Sequence, residues 1–302
     1  MNKIEQAKYY AKLFFKEMED CQYTLDQPSI QFSKGKRNLE KIRKNIANTK
    51  FTKPENMYFT PQKKSQNILY TKAIIHQLYN GMYDEQVDML LSLFHVNHEL
   101  PPYESGICGD YNQDTRTMQF TEGKIWSWKN PYIPITLTHE ITHAFFKQVL
   151  PPIGFNYNYN ELCSIFAEQY GAFEMDQDLD KGKGYLNHCM QIRFHTLQQH
   201  FQEYETMQHY LAEFNVPNES LSPVQLAFKF SYYNSYQYII CSIYGTLLFL
   251  QYLQMPESVL TDFRKTVVHE MTIPTLLDKY EISLRNPESV NEFQKVISKY
   301  SI

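Results

Sequence analysis

The residues with the plainest chemical capacity stand in Leu137-Thr138-His139-Glu140-Ile141-Thr142-His143-Ala144-Phe145-Phe146. On a helix, His139 and His143 lie one turn apart on the same face. Two imidazole nitrogens can then converge on one metal ion, at about 2.0–2.1 Å each if the ion is zinc. Glu140 projects beside them. In an H-E-x-x-H arrangement such a glutamate takes a proton from a metal-bound water and later passes it to the leaving amine. A chance match is the competing account in a chain with ten histidines. The context favours a helix: Pro134 suits a first turn, Ile141 and Phe145 supply an apolar face, and Leu150-Pro151-Pro152 stops it.

Two histidines and a solvent molecule do not complete a zinc site, so a third protein ligand is required downstream. Tyr159-Asn160-Glu161-Leu162-Cys163-Ser164-Ile165-Phe166-Ala167-Glu168 has apolar residues at helical spacing, after a loop long enough to turn the chain back. Glu161 and Glu168 share a face but lie roughly 10 Å apart along the axis, too far for both to bind one ion. Glu161, nearer the turn, is the better ligand. Glu168 is then an outer acceptor that orients a ligating histidine. Taken alone, either glutamate reads as part of a solvated stripe.

The elements around this pair must bury a core and aim these side chains. A chain of 302 residues with 43% hydrophobic and 21% charged residues has the make-up of a soluble globular protein and room for a large core. Its net charge of −4 gives no general attraction to phosphate, which argues against a nucleic-acid partner. The basic stretch 34–50 carries Leu39, Ile42 and Ile46 at helical spacing and reads as a helix with a solvated face. Cys21, Cys108, Cys163, Cys189 and Cys241 form no C-x-x-C pair and sit among apolar neighbours, the pattern of reduced, mostly buried thiols in a reducing compartment. Residues 1–20 alternate charged and apolar types without the apolar core of a signal peptide. The apolar run 238–250 is too short to span a bilayer and predicts a buried helix.

Helical spacing over 4–18, 39–47, 68–79 and 87–96 predicts four helices before the motif, separated by Gln27-Pro28, Lys53-Pro54 and Asn80-Gly81. Between Gly106 and Thr121, turn residues flanked by alternating arms predict a β-hairpin. Such a hairpin could offer its edge to an extended peptide or simply cover the core. Residues 185–214 predict one or two long helices, and Ser222-Pro223 launches another through Leu253. That last helix is rich in phenols. Such clusters usually pack in cores, but beside zinc a tyrosine hydroxyl can hydrogen-bond the developing oxyanion, with Tyr236 the first choice and Tyr233 or Tyr238 next. Helices beginning at Pro256, Pro274 and Pro287 close the chain. His269-Glu270-Met271-Thr272-Ile273 is a decoy, since Ile273 takes the second histidine's place.

The order His139-Glu140-x-x-His143, Glu161-x-x-Ser164-x-x-x-Glu168 and then a tyrosine-rich helix resembles the gluzincin metallopeptidases of the oligoendopeptidase F and thimet oligopeptidase type. The closing stretch from Pro274 to Val290 is similar to the tail of oligoendopeptidase F relatives. The resemblance covers the chain from about Ser105 onward. It implies a mainly helical catalytic domain that cleaves peptides in a deep groove, with zinc on His139, His143 and Glu161, Glu140 as base and a later tyrosine as oxyanion donor. Phe228 or Phe230 stands where relatives carry a histidine, so transition-state stabilisation by that histidine is not carried over; relatives have a longer segment before the motif, so their restriction to short peptides is not carried over either. Asn160-Glu161-x-x-Ser164 also matches part of the thermolysin-like motif, with Ile165 where that group has aspartate.

These readings predict a mainly α protein, a multi-helix gluzincin-type domain with a small β-hairpin or short sheet before the H-E-x-x-H helix. Residues 1–103 would form an N-terminal helical subdomain packed as one unit with a catalytic domain, 104–302. The expected activity is zinc-dependent hydrolysis of peptide bonds in a peptide or unfolded polypeptide, in the cytoplasm, with one Zn2+ per chain and no nucleic-acid or membrane partner. The alternative is a catalytically inactive relative that binds a peptide or protein.

Overall fold

The computed structural model describes residues 32–51, 61–92, 95–96, 109–112, 117–120, 130–149, 157–214 and 223–302. Within them the chain is mainly helical. The expected helix over 4–18, together with Cys21 and Cys108, lies outside the described residues.

Helix α1 (Phe32–Ala47) starts earlier than its apolar spacing suggested. It buries Ile42 and Ile46 while Arg37, Lys41 and Lys44 face solvent. Helix α2 (Lys64–Tyr79) buries Asn67, Thr71, Ile74, Ile75, Leu78 and Tyr79, a stripe at helical spacing. It ends at Asn80 and Gly81, both left-handed with φ of 52° and 74°, and the Gly81 amide donates back to the His76 carbonyl at 3.0 Å. Helix α3 (Asp84–Ser92) is shorter than predicted. The expected helix over 87–96 stops at Ser92, and His95–Val96 is instead strand β1, parallel to β3 (Thr117–Phe120). Strand β2 (Gly109–Asn112) pairs antiparallel with β3, with Gly109 opposite Phe120 and Asn112 opposite Thr117, so the sheet order is β1-β3-β2.

Helix α4 (Ile133–Val149) carries the histidine motif and packs against α2 and, most extensively, α5 (Tyr157–Glu174). Asn130 opens α4: its side-chain oxygen accepts from the Tyr132 amide at 2.9 Å, and its carbonyl accepts from Asn67 Nδ2 at 3.0 Å. Most described positions of the helix are buried, its threonines included. Thr138 donates to the Pro134 carbonyl at 2.8 Å, and Thr142 Oγ1 meets Tyr79 OH at 2.8 Å. A π-helical turn (Met175–Leu179) follows α5. Here the Asp176 carboxylate accepts from the Tyr185 and Leu186 amides at 2.9 and 2.8 Å, capping helix α6 (Tyr185–Phe214).

Helix α7 (Pro223–Gln254) lies across α5 and α6. Its expected buried run is realised: Ile239, Ile243 and Leu248 are fully buried, and Gln169 on α5 donates to Thr246 at 2.8 Å. Gly245 sits where α7 meets α5. A Cβ there would come within 2.9 Å of the Leu162 carbonyl and of Ile165, so only glycine permits this approach. Helices α8 (Pro256–Val267), α9 (Ile273–Lys279) and α10 (Pro287–Lys299) each carry proline in the first turn. Thr272 and Asn286 cap the last two through their side chains. His269, in the decoy sequence, lies in the turn after α8 with φ of 62°. One apolar core draws on residues from Ile42 to Tyr300. No described helix is long and apolar enough to cross a membrane.

Candidate metal centre

Helix α4 places His139 and His143 one turn apart on the side that faces α5, and α5 brings up Glu161 from its first turns. The three donor groups meet. His143 Nε2 lies 3.0 Å from Glu161 Oε2 and 3.0 Å from His139 Nε2, and His139 Nε2 lies 3.7 Å from Glu161 Oε1. Two donors on a tetrahedral zinc with bonds of about 2.0–2.1 Å are separated by about 3.3 Å. The observed triangle brackets that value. The two imidazole planes stand at 78°, edge to face rather than stacked. Among the described residues this is the one group of three or more potential ligands close enough to share an ion. The donor set, two imidazole nitrogens and a carboxylate oxygen, is of the kind that zinc takes.

Glu168 takes the opposite edge of His139. Its Oε2 accepts from His139 Nδ1 at 3.1 Å, while Glu161 lies on the Nε2 side, so the two glutamates seven residues apart serve different edges of one ring. The hydrogen bond fixes Nδ1 as the donor nitrogen and turns Nε2 toward Glu161 and His143. Side-chain exposures of 9–16% for His139, His143, Glu161 and Glu168 put the centre in a desolvated setting.

Burial alone would disfavour charge on His139. The nearby Glu161 charge, the hydrogen bond to Glu168 and the charges of Glu140 and Glu168 outweigh it and raise the imidazole to about 9. Burial likewise opposes ionisation of Glu161, yet His139 and His143 lower its carboxyl to about 2. For Glu168 burial is again overcome, chiefly by the Arg193 charge and His139, which lower it to about 2. A site that holds an extra proton so firmly among three carboxylates is one that a divalent cation can occupy in that proton's place.

Glu140 follows His139 on α4, is half-buried, and acts on the His139 ring through its charge. Tyr233 and Tyr236 fall within α7 at positions whose side chains lie outside the described residues, as do Phe228 and Phe230. Tyr238 is half-buried and stacks on His200 of α6, with ring centroids 4.8 Å apart and planes within 8°. Cys163, Cys189 and Cys241 are buried thiols.

The sequence reading missed Arg193, Tyr132 and Cys189. All three reach Glu168: Arg193 by an ion pair to Oε2, Tyr132 OH at 3.5 Å and Cys189 Sγ at 3.8 Å from Oε1. Arg193 had a legible signal. It occupies the apolar face of α6 between Cys189, Met190, Phe194 and Leu197, where an arginine needs a buried counter-charge. Compared with known proteins, the chain matches no protein-family model, no curated protein and no solved structure.

Proposed function

We propose that this chain is a zinc-dependent peptidase of the gluzincin kind, in which His139, His143 and Glu161 hold the ion and Glu140 is the general base. The observation that carries the reading is the convergence of three ligand atoms from α4 and α5, with a carboxylate of the same motif alongside. A zinc ion bound there supplies a Lewis acid for the substrate carbonyl and lowers the pKa of water toward roughly 7. Glu140 then accepts a proton from the attacking water as the carbonyl carbon becomes tetrahedral. It delivers that proton to the amide nitrogen as the C–N bond breaks, so the products are a carboxylate and an amine. Glu168 holds His139 in the tautomer that presents Nε2 inward. A tyrosine hydroxyl of α7, Tyr236 first and Tyr233 or Tyr238 next, donates to the developing oxyanion. Substrates are peptides or unfolded polypeptide segments.

A panel of internally quenched peptides, assayed with and without a chelator, tests the activity. Chelator-sensitive cleavage is the expected result, and no cleavage of any peptide by metal-loaded protein refutes it. Glu140→Gln should keep one zinc per chain and lose at least about a hundredfold in turnover, the scale of general-base contributions. Unchanged hydrolysis by that variant removes Glu140 from the chemistry.

A further inference from the structure

We infer that Arg193 is a positioning residue of the metal centre, acting on His139 through Glu168. The inference rests on the zinc reading above and adds a component from a third helix. Arg193 lies on α6, 9% exposed, and its guanidinium pairs with Glu168 Oε2, the same oxygen that accepts from His139 Nδ1. The other oxygen, Oε1, receives Tyr132 OH and Cys189 Sγ. Cys189 and Arg193 are one turn apart, so a single face of α6 reaches both oxygens of one carboxylate.

Two of these donors, His139 and Arg193, are close, and the other two stand off at 3.5 and 3.8 Å. A buried carboxylate that had only His139 and two distant, weak donors could swing away and take the imidazole with it. Arg193 restricts that freedom, because its side chain is itself enclosed and its guanidinium makes a charge-assisted hydrogen bond to the oxygen that His139 also uses. It also closes the local charge count. Glu140, Glu161 and Glu168 bring three negative charges, and a divalent ion with Arg193 brings three positive ones.

The two ways in which Arg193 could matter predict opposite outcomes. If it acted only as a nearby positive charge, its removal would tighten cation binding, since one repulsion is gone. If it positions His139, its removal weakens binding by about 10–100-fold, the range for lost support behind a metal ligand.

The test measures zinc affinity by chelator competition for wild type, Arg193→Met, Arg193→Lys, Glu168→Gln and the double variant. Electronic spectra of the cobalt-loaded proteins report ligand geometry alongside. Wild-type protein should bind one ion per chain. Arg193→Met should bind 10–100-fold more weakly with an altered cobalt spectrum, and Arg193→Lys should recover part of the loss. In the Glu168→Gln background, Arg193→Met should change affinity less than it does with Glu168 in place, because the neutral amide pairs with Arg193 more weakly than the carboxylate. Should Arg193→Met not fold, the lysine variant and the double variant, which buries no unpaired charge, carry the comparison. Affinity equal to or tighter than wild type in Arg193→Met, or in Arg193→Lys where Met is not folded, overturns the inference while leaving the zinc reading intact. A wild-type chain that binds no metal overturns both.

Discussion

Replacing Glu161 by glutamine tests the centre most directly, because it removes a charge and a ligand while keeping the shape. Its effect can be worked out twice. In metal-free protein the Glu161 carboxyl is lowered from its ordinary value of 4.5 to about 2 by His139 and His143, against the opposing effect of burial. That difference corresponds to about 3 kcal/mol of stability. The carboxylate is favoured in the folded chain, so this contribution is fully present above the unfolded value and fades as pH falls from about 4.5 toward 2. At neutral pH, Glu161→Gln should therefore unfold about 5 °C below wild type when both are chelated. In metal-loaded protein the loss is of similar size for a separate reason. Structural zinc sites with four ligands bind with roughly 10–16 kcal/mol, or about 3 kcal/mol per ligand, so losing one costs about a hundredfold in affinity. Thermal unfolding with and without chelator, together with chelator competition, reads both quantities. Wild type should respond to chelation and the variant scarcely at all. A variant that keeps one zinc per chain at wild-type affinity would refute the assignment of Glu161 as a ligand.

Zinc affinity should fall as pH is lowered below about 9, since the ion must displace the proton that the surrounding carboxylates hold on His139; a titration from pH 9 to 6 that shows flat affinity contradicts this. Gly245→Val should cost about 1–3 kcal/mol, seen as a lower denaturation midpoint, because its Cβ meets the Leu162 carbonyl and Ile165 at 2.9 Å and forces α7 off α5. Zinc affinity should fall with it, as Leu162 adjoins Glu161. Asp262 is 2% exposed and paired with Lys265 at 2.9 Å, with Lys279, and with Tyr280 OH at 2.8 Å. Burial opposes its ionisation, but the hydrogen bonds from Lys279, Lys265 and Tyr280 lower its carboxyl to about 2. Asp262→Asn should cost about 2 kcal/mol at neutral pH, and the gap to wild type should close between pH 4 and 2, which acid unfolding curves can check.

The metal helix and its partner were legible because their signals are local. His139 and His143 define a face by spacing alone, with Glu140 beside it, and the buried run of α5 is dense enough that Glu161 and Glu168 stand out on it. Helix rise said only that the two glutamates could not share one ion, and nearness to the turn chose Glu161; the structure places one glutamate at each edge of the His139 ring. What was not legible depends on partners distant in sequence. Helical spacing runs on past Ser92, but pairing between His95–Val96 and Gln119–Phe120 takes that stretch into a sheet, and no window around residue 95 contains that partner. The early start of α1 was hidden because Ser33-Lys34-Gly35-Lys36 carries little apolar signal, although Gly35 is buried. The π turn after Glu174 leaves no mark in composition. Arg193 was visible as a cation on an apolar stripe, but nothing in its own helix named Glu168 as the acid it serves.

Helices α4 and α5 are enclosed along most of their length, with Thr142 tied to Tyr79, Gln169 to Thr246 and Asn67 to the turn that opens α4. The scaffold that aims these side chains is thus tied together by packing and by hydrogen bonds that involve none of the candidate ligands. On the zinc reading, loading should then be recruitment into a receptacle already in shape rather than folding driven by coordination, unlike the small zinc modules that collapse only around their metal. Stripped protein should retain its helical circular dichroism, and its affinity should reflect little conformational cost, so that ion supply, rather than refolding, sets how much of the chain is loaded.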